Sequence, residues 1–338
     1  MLAGGMLWGT ACLFVRSFDR WGWTALDIAG ARTTCSLLML AAGLALVRRQ
    51  LFRIQRKDLP LFLLAGFAGA GTSQPLFMFT LVGTPAAVAV LLNYTAPLFV
   101  VIIARLFLKE RITSAKLGSL LLSLAGLVLV TGILPHGETL AAGIRPLALL
   151  TGLGSGLFYA VNLLLTRRLS NDYSPFTIQV WGPLCGLPIL LGIWSLWPYI
   201  GAAAGQPAAR AAATLPPLHT ASIGTCLLMS AGPGLAGFLL VTYGLNYVQA
   251  GRASILLTVE PVVATILGYT VLGEQLGLTQ LLGVGLVLAG IITVSFTGSE
   301  SRPSIAAAPR PYASPAQRLS CEQRSCSTSA CNYPPGSA

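Results

Sequence analysis

Glu260 sits near the middle of the apolar stretch ASILLTVEPVVATILGYTVLG. A charge at the centre of a membrane-spanning helix costs roughly 2.5–3.5 kcal/mol on insertion scales, so an acid there is a functional-site candidate by default. The chemistry open to it is exchange: the carboxylate holds a cation or an amine, and releases it on taking up a proton. Pro261 follows directly. Having no amide N–H, it is expected to free the carbonyl of Leu257, and Pro97 to free that of Asn93. Freed carbonyls at membrane depth persist only against protein, ligand or a wet cavity. Asn93 adds a side-chain amide at the same level and Tyr94 adds a ring. Glu260, Asn93, Tyr94, Pro97 and Pro261 thus form the expected substrate-binding and proton-coupling set. The plainer alternative makes Glu260 an interhelical hydrogen bond that locks the bundle, and the prolines packing kinks.

Further polar groups fall within apolar segments. Gln74, beside Pro75, together with Asn162, Trp181 and Tyr243, joins the candidate set. Gln179 and Asn246 are weaker members. Each serves equally well as a hydrogen bond or an interface between helices. Arg32 is expected to snorkel or to pair with Asp27, and Arg105 to snorkel. Glu110 and Glu274 fall at helix ends. An acid at a helix C-terminus opposes the dipole, so each is expected to find a partner, either in a gate or in a tight connector. Lys109 and Arg111 flank Glu110.

The elements that must position these groups follow from composition. Of 338 residues, 54% are hydrophobic and 9% charged. Soluble domains carry about 25% charged residues, so a water-facing fold is excluded. Ten apolar runs are long enough to span a bilayer: about 2–18, 24–47, 59–82, 85–108, 114–134, 146–166, 177–200, 218–243, 250–273 and 276–297. The first is expected to be a slightly clipped helix rather than a signal peptide. The eighth contains Gly232-Pro233-Gly234 and is expected to kink. With the N-terminus inside, the inner loops hold Arg48, Arg49, Arg53, Arg56, Lys57, Lys109, Arg111, Lys116, Arg167, Arg168 and Arg252. The outer loops hold Arg16, Arg20, Arg145 and Arg210. That bias follows the positive-inside rule and places both termini in the cytoplasm. The net charge of +11 is therefore an orientation signal, not a nucleic-acid footprint.

A repeat organises the chain. Shifted by 164 positions, residues 86–130 overlie 250–294 without a gap. Pro97 falls on Pro261, Glu110 on Glu274 and Gly126 on Gly290. Two five-helix units result, 1–134 and 146–297, followed by a disordered cytoplasmic tail, 298–338, rich in Ser, Ala and Pro. An odd number of helices per unit makes the second enter the membrane from the opposite side. Such inverted repeats are the architecture of many secondary transporters, with the site near the midplane.

The segment NYTAPLFVVIIARLFLKERIT followed by LGSLLLSLAGLVLV resembles the carboxy half of an EamA domain. VEPVVATILGYTVLGEQLG with QLLGVGLVLAG resembles a second copy, and LWGTACLFVR resembles the opening of the first. The chain is thereby similar to the drug/metabolite transporter superfamily over about 1–297. It departs from the pattern in a short N-terminal lead and a tail bearing Cys321, Cys326 and Cys331. The resemblance implies cytoplasmic termini, no ATP site and coupling to an ion gradient. The family's substrates include amino acids, other metabolites and toxic compounds. No P-loop is present, His136 and His219 make no metal pair, and neither an enzyme nor a cofactor is expected. The expected partners are a small-molecule substrate, a proton or other coupling ion, and the lipid bilayer of an inner membrane. Monomer and homodimer both stay open. The leading function is proton-coupled export of small metabolites or drugs. An importer or exchanger of organic solutes, and a non-transporting scaffold or receptor, remain as alternatives.

Overall fold

The computed structural model describes residues 1–83, 86–107, 112–131, 146–203, 220–271, 273 and 277–296. Among them the fold is entirely helical. The helices are α1 (Leu2–Gly9), α2 (Ala11–Arg20), α3 (Ala25–Val47), α4 (Leu59–Gly66), α5 (Gln74–Gly83), α6 (Ala86–Asn93), α7 (Ala96–Phe107) and α8 (Ser114–Val130). They continue as α9 (Pro146–Leu169), α10 (Pro175–Ala203), α11 (Thr220–Met229), α12 (Phe238–Gly244), α13 (Ala250–Leu256), α14 (Val259–Thr270) and α15 (Leu278–Phe296).

Eight continuous helical runs among the described residues are long and apolar enough to cross a membrane. Two expected spans differ. The first bends at Thr10, where α1 ends and α2 begins, and the fifth is the shorter helix Ser114–Val130. Local chemistry sets the helix starts. Thr24 caps α3, accepting the Asp27 amide, while Asp27 accepts the Thr24 amide in return, a reciprocal capping box. Ser174 accepts the Thr177 amide at 3.1 Å, and Pro175 occupies the first turn of α10, where its missing N–H costs nothing.

Two segments depart from α-geometry. Phe67–Ser73 joins α4 to α5, and Ser230–Gly237 joins α11 to α12, both through widened, π-type turns. The expected kink at Gly232-Pro233-Gly234 is therefore a widening rather than a break. Each widening withholds amides from carbonyls that an α-turn would satisfy. Two carbonyls at these segments are bonded from neighbouring helices: Asn162 Nδ2 donates to Ala65 at 2.8 Å, and Ser36 Oγ donates to Ser230 at 2.9 Å.

The other irregular points are chain breaks. Helix α6 ends at Asn93 and α7 begins at Ala96; α13 ends at Leu256 and α14 begins at Val259. Both breaks precede the prolines noted in the sequence.

The two halves share their packing. Val100 and Ala104 of α7 join Ala160 and Leu163 of α9, Val241 and Leu245, and Ala250, Ala253 and Leu257 in one buried cluster. Helices α8 and α15 approach backbone to backbone. A Cβ on Gly126 would lie 2.7 Å from the Gly283 carbonyl oxygen, and one on Gly290 would lie 2.8 Å from that of Ser119. Residues 119 and 126 precede 283 and 290 by 164 positions, so these are one contact with its halves exchanged. Many large apolar side chains, among them Leu38, Leu106, Leu228, Leu278 and Phe296, face outward. Lipid solvates such a surface, whereas water does not.

Candidate functional site

A cavity of about 120 Å³ lies between the two widened segments. Gly69, Ala70 and Ser73 border it from one, with Gly66 at the end of α4, and Gly234 and Leu235 from the other. Its polar lining includes Arg32 and Ser36 of α3, Gln74 of α5, Tyr159 and Asn162 of α9, and Gln179 of α10. Phe238 supplies an aromatic wall. Gly234 is required here: a Cβ at that position would lie 2.5 Å from Ser36 Oγ.

Glu260 stands deep in the bundle yet keeps part of its surface open. The Tyr94 hydroxyl donates a hydrogen bond to its carboxylate. Arg32 and Tyr159, both on the cavity wall, lie within electrostatic range of Glu260. The Arg32 guanidinium carbon rests 5.6 Å above the Phe238 ring centroid, a cation–π geometry. The two broken helices thus contribute an acid and its donor to one place, and α3 sets a cation beside them.

The expected pairing of Arg32 with Asp27 does not occur. Asp27 Oδ2 accepts the Thr24 amide at 2.8 Å and the Thr24 hydroxyl at 2.6 Å, and its Oδ1 accepts Trp194 Nε1 at 2.7 Å. An acid in a first helical turn is claimed by the cap, which frees Arg32 for the cavity. Pro261 does not leave Leu257 unsatisfied either. The chain tightens at the break, and the Glu260 amide donates to the Leu257 carbonyl at 3.1 Å. The Asn93 carbonyl faces protein: a Cβ on Gly156 of α9 would approach it to 3.1 Å.

Of the remaining expected residues, Asn162 and Gln74 line the cavity. Gln74 Oε1 is buried with no hydrogen-bond partner. Asn93 Oδ1 accepts from Ser155 Oγ at 3.2 Å and ties α6 to α9. Gln179 donates to Thr242 Oγ1 at 2.7 Å from the cavity edge. Trp181 donates to the Phe52 carbonyl at 3.0 Å and packs below the cavity rather than lining it. Tyr243 is 54% exposed and accepts from the Tyr247 hydroxyl at 3.1 Å, on the outside of the bundle. Glu110 and Glu274 lie outside the described residues. Cys35 and Cys226 meet at 3.7 Å between α3 and α11. Tyr159, Ser36 and Phe238 were not anticipated.

The model of the EamA-like transporter family matches residues 1–132 and again 146–296. The chain belongs to the EamA-like transporter family. An uncharacterized transporter of Archaeoglobus fulgidus is 30% identical over 293 residues, which cover 86% of this chain and 93% of that one. A probable terminal-alkyne amino-acid exporter of Streptantibioticus cattleyicolor is 25% identical, covering 85% and 89%. An uncharacterized inner membrane transporter, YicL, of Salmonella typhimurium is 28% identical, covering 76% and 82%. A solved crystal structure superposes with a TM-score of 0.68 at 18% identity, covering 87% of this chain and 94% of that one. At that identity the likeness speaks for the fold alone. The EamA chain is a multi-pass membrane protein and a transporter.

Proposed function

We propose that this EamA protein is a proton-coupled exporter of small amino-bearing metabolites, built as two inverted five-helix repeats with both termini in the cytoplasm. The observation that carries the reading is the placement of Glu260. It stands at one helix break, receives a hydrogen bond from Tyr94 at the other, and lies within electrostatic range of Arg32 and Tyr159, which line the cavity. Facing inward, the ionised carboxylate holds the substrate's ammonium group. Facing outward, a proton arriving from outside takes that place and the amine leaves. The reset carries the proton inward. Arg32, Tyr94 and Tyr159 are the charged or titratable groups around that step. The reciprocal contact of Gly126 with Gly283 and Gly290 with Ser119 supports a two-fold relation between the halves, the property that lets them trade conformations. The amino-acid exporter among the relatives supports the substrate class.

Arg32 on the cavity wall gives one observation in favour of a second reading, an exchanger of organic anions. A sensitised host that expresses wild type or Glu260→Gln at matched membrane levels separates the two. Protection by the wild type alone against toxic amino-acid analogues or cationic drugs is the expected result. Equal protection by both proteins removes Glu260 from the transport cycle.

A further inference from the structure

The thiols of Cys35 on α3 and Cys226 on α11 lie 3.7 Å apart, although the two residues are separated by 191 positions in the chain. They come from the two halves that the family model matches, and both stand inside helical runs long enough to span a bilayer. Cys226 is buried with Phe18, Trp23, Ile28 and Met229, and Cys35 packs against the same cluster. Cys35 keeps part of its surface open.

The pair stands beside the cavity wall. Ser36, the next residue of α3, lines the cavity and donates to the Ser230 carbonyl at 2.9 Å. Ser230 opens the widened segment Ser230–Gly237, and its hydroxyl lies 4.0 Å from Cys226 Sγ. The two thiols therefore face each other where α3 meets one of the two widened segments. The crossing of α10 with α4, beside the other widened segment, is built differently. Cys185 is the eleventh residue of α10, as Cys35 is of α3. The residue 164 positions before Cys226, however, is Phe62, and Cys185 packs against the cluster around that ring. A second thiol is present at one crossing and replaced by a ring at the other.

Two adjoining thiols can form a disulfide. Its S–S bond is about 2.05 Å long, so the sulfurs must close by about 1.7 Å. Rotation about the Cα–Cβ bonds of two unbranched side chains supplies that approach. Two S–H bonds break and one S–S bond forms, releasing two protons and two electrons. A quinone dissolved in the bilayer reaches a site at this depth, takes up both protons and both electrons, and leaves as the hydroquinone. Neither the thiols nor the disulfide carries a charge, so the exchange strands none in the apolar interior.

We infer that Cys35 and Cys226 form a redox-responsive cross-link site, oxidised by a lipid-soluble quinone, and that the disulfide fastens α3 to α11 and holds the segment Ser230–Gly237 against the cavity. A covalent bond between the halves stops them from moving past each other at this crossing. The inference is independent of the cargo and of the coupling ion.

The test uses the full chain in proteoliposomes, treated either with tetramethylbenzoquinone or with dithiothreitol, then denatured, alkylated at its free thiols and digested for peptide mass mapping. The quinone should produce a linked pair of peptides carrying Cys35 and Cys226. Dithiothreitol should remove it, and neither Cys35→Ala nor Cys226→Ala should form it. Membrane abundance and melting temperature of both variants are measured alongside. Amide hydrogen exchange across Ser230–Gly237 should slow about 10-fold or more in the oxidised wild type, and should not respond to the quinone in either variant. Recovery of Cys35 and Cys226 in alkylated form from the quinone-treated protein overturns the inference, as does pairing of either one with a different cysteine. A linked pair that leaves exchange across Ser230–Gly237 unchanged overturns the lock.

Discussion

Tyr94 and Glu260 come from the two halves, and the Tyr94 hydroxyl bonds the Glu260 carboxylate. A hydrogen bond to a charged group contributes about 1.5–3 kcal/mol. Tyr94→Phe is therefore expected to weaken transport about 10- to 100-fold at unchanged membrane abundance, read from initial rates. Unaltered rates would reduce the bond to packing. Glu260 stood out in the sequence because a lone acid in a long apolar run is costly at that depth. Arg32 did not. Its neighbour Asp27, one turn away, offered a local partner on paper, and only the cap at Thr24 and the bond from Trp194 show Asp27 to be occupied. Tyr159 gave no signal, since a tyrosine in a membrane helix is compositionally ordinary.

At the scale of elements, the irregular segments matter more than the regular ones. The prolines announced the breaks before α7 and α14, because a missing amide is visible in sequence. They did not announce how the freed carbonyls would be satisfied, which depends on what packs there. Gly232-Pro233-Gly234 signalled one widened turn. The glycine-rich Phe67–Ser73 carries no comparable proline signal, since glycine serves close packing and widened turns alike. The crossing of α8 and α15 leaves no room for a side chain. A methyl group on Gly126 meets backbone, which cannot swing aside. Gly126→Ala should cost about 1–3 kcal/mol, seen as a lower melting temperature in detergent; an unchanged melt would mean that the helices separate freely.

A further group of inter-half bonds closes the end of the bundle that carries the loop between α3 and α4. Tyr173 donates to Asp58 Oδ2 at 2.5 Å and accepts the Gln55 amide at 3.1 Å. Thr177 donates to the Leu51 carbonyl at 2.9 Å, beside the Trp181 bond to Phe52. Burial first, and then the bond to Asp58, push the Tyr173 phenol up to about 12. The folded protein therefore favours the neutral phenol. Its contribution is complete below the ordinary tyrosine value of about 10, and fades as pH rises from there toward 12. Tyr173→Phe should lower stability by about 0.5–1.5 kcal/mol at neutral pH and flatten the alkaline fall in melting temperature between those values. An identical alkaline limb in the variant would assign that fall to other groups.

For the whole molecule, the repeat was legible because proline and glutamate recur at constant spacing in a composition where leucine matches mean little. The family model matches twice, over residues 1–132 and 146–296. The cavity between the widened segments was not legible, since it arises from how α3, α5, α9 and α10 meet. Exchange of a proton for the substrate at Glu260 is the core step of the proposed cycle. Its most direct test is flux in proteoliposomes, with the substrate inside and an acid pulse outside. Wild type should expel substrate against its own gradient while the external pH stays low. Glu260→Gln should pass substrate only downhill and ignore the pulse. A Glu260→Gln protein that still pumps uphill in response to acid would contradict the account.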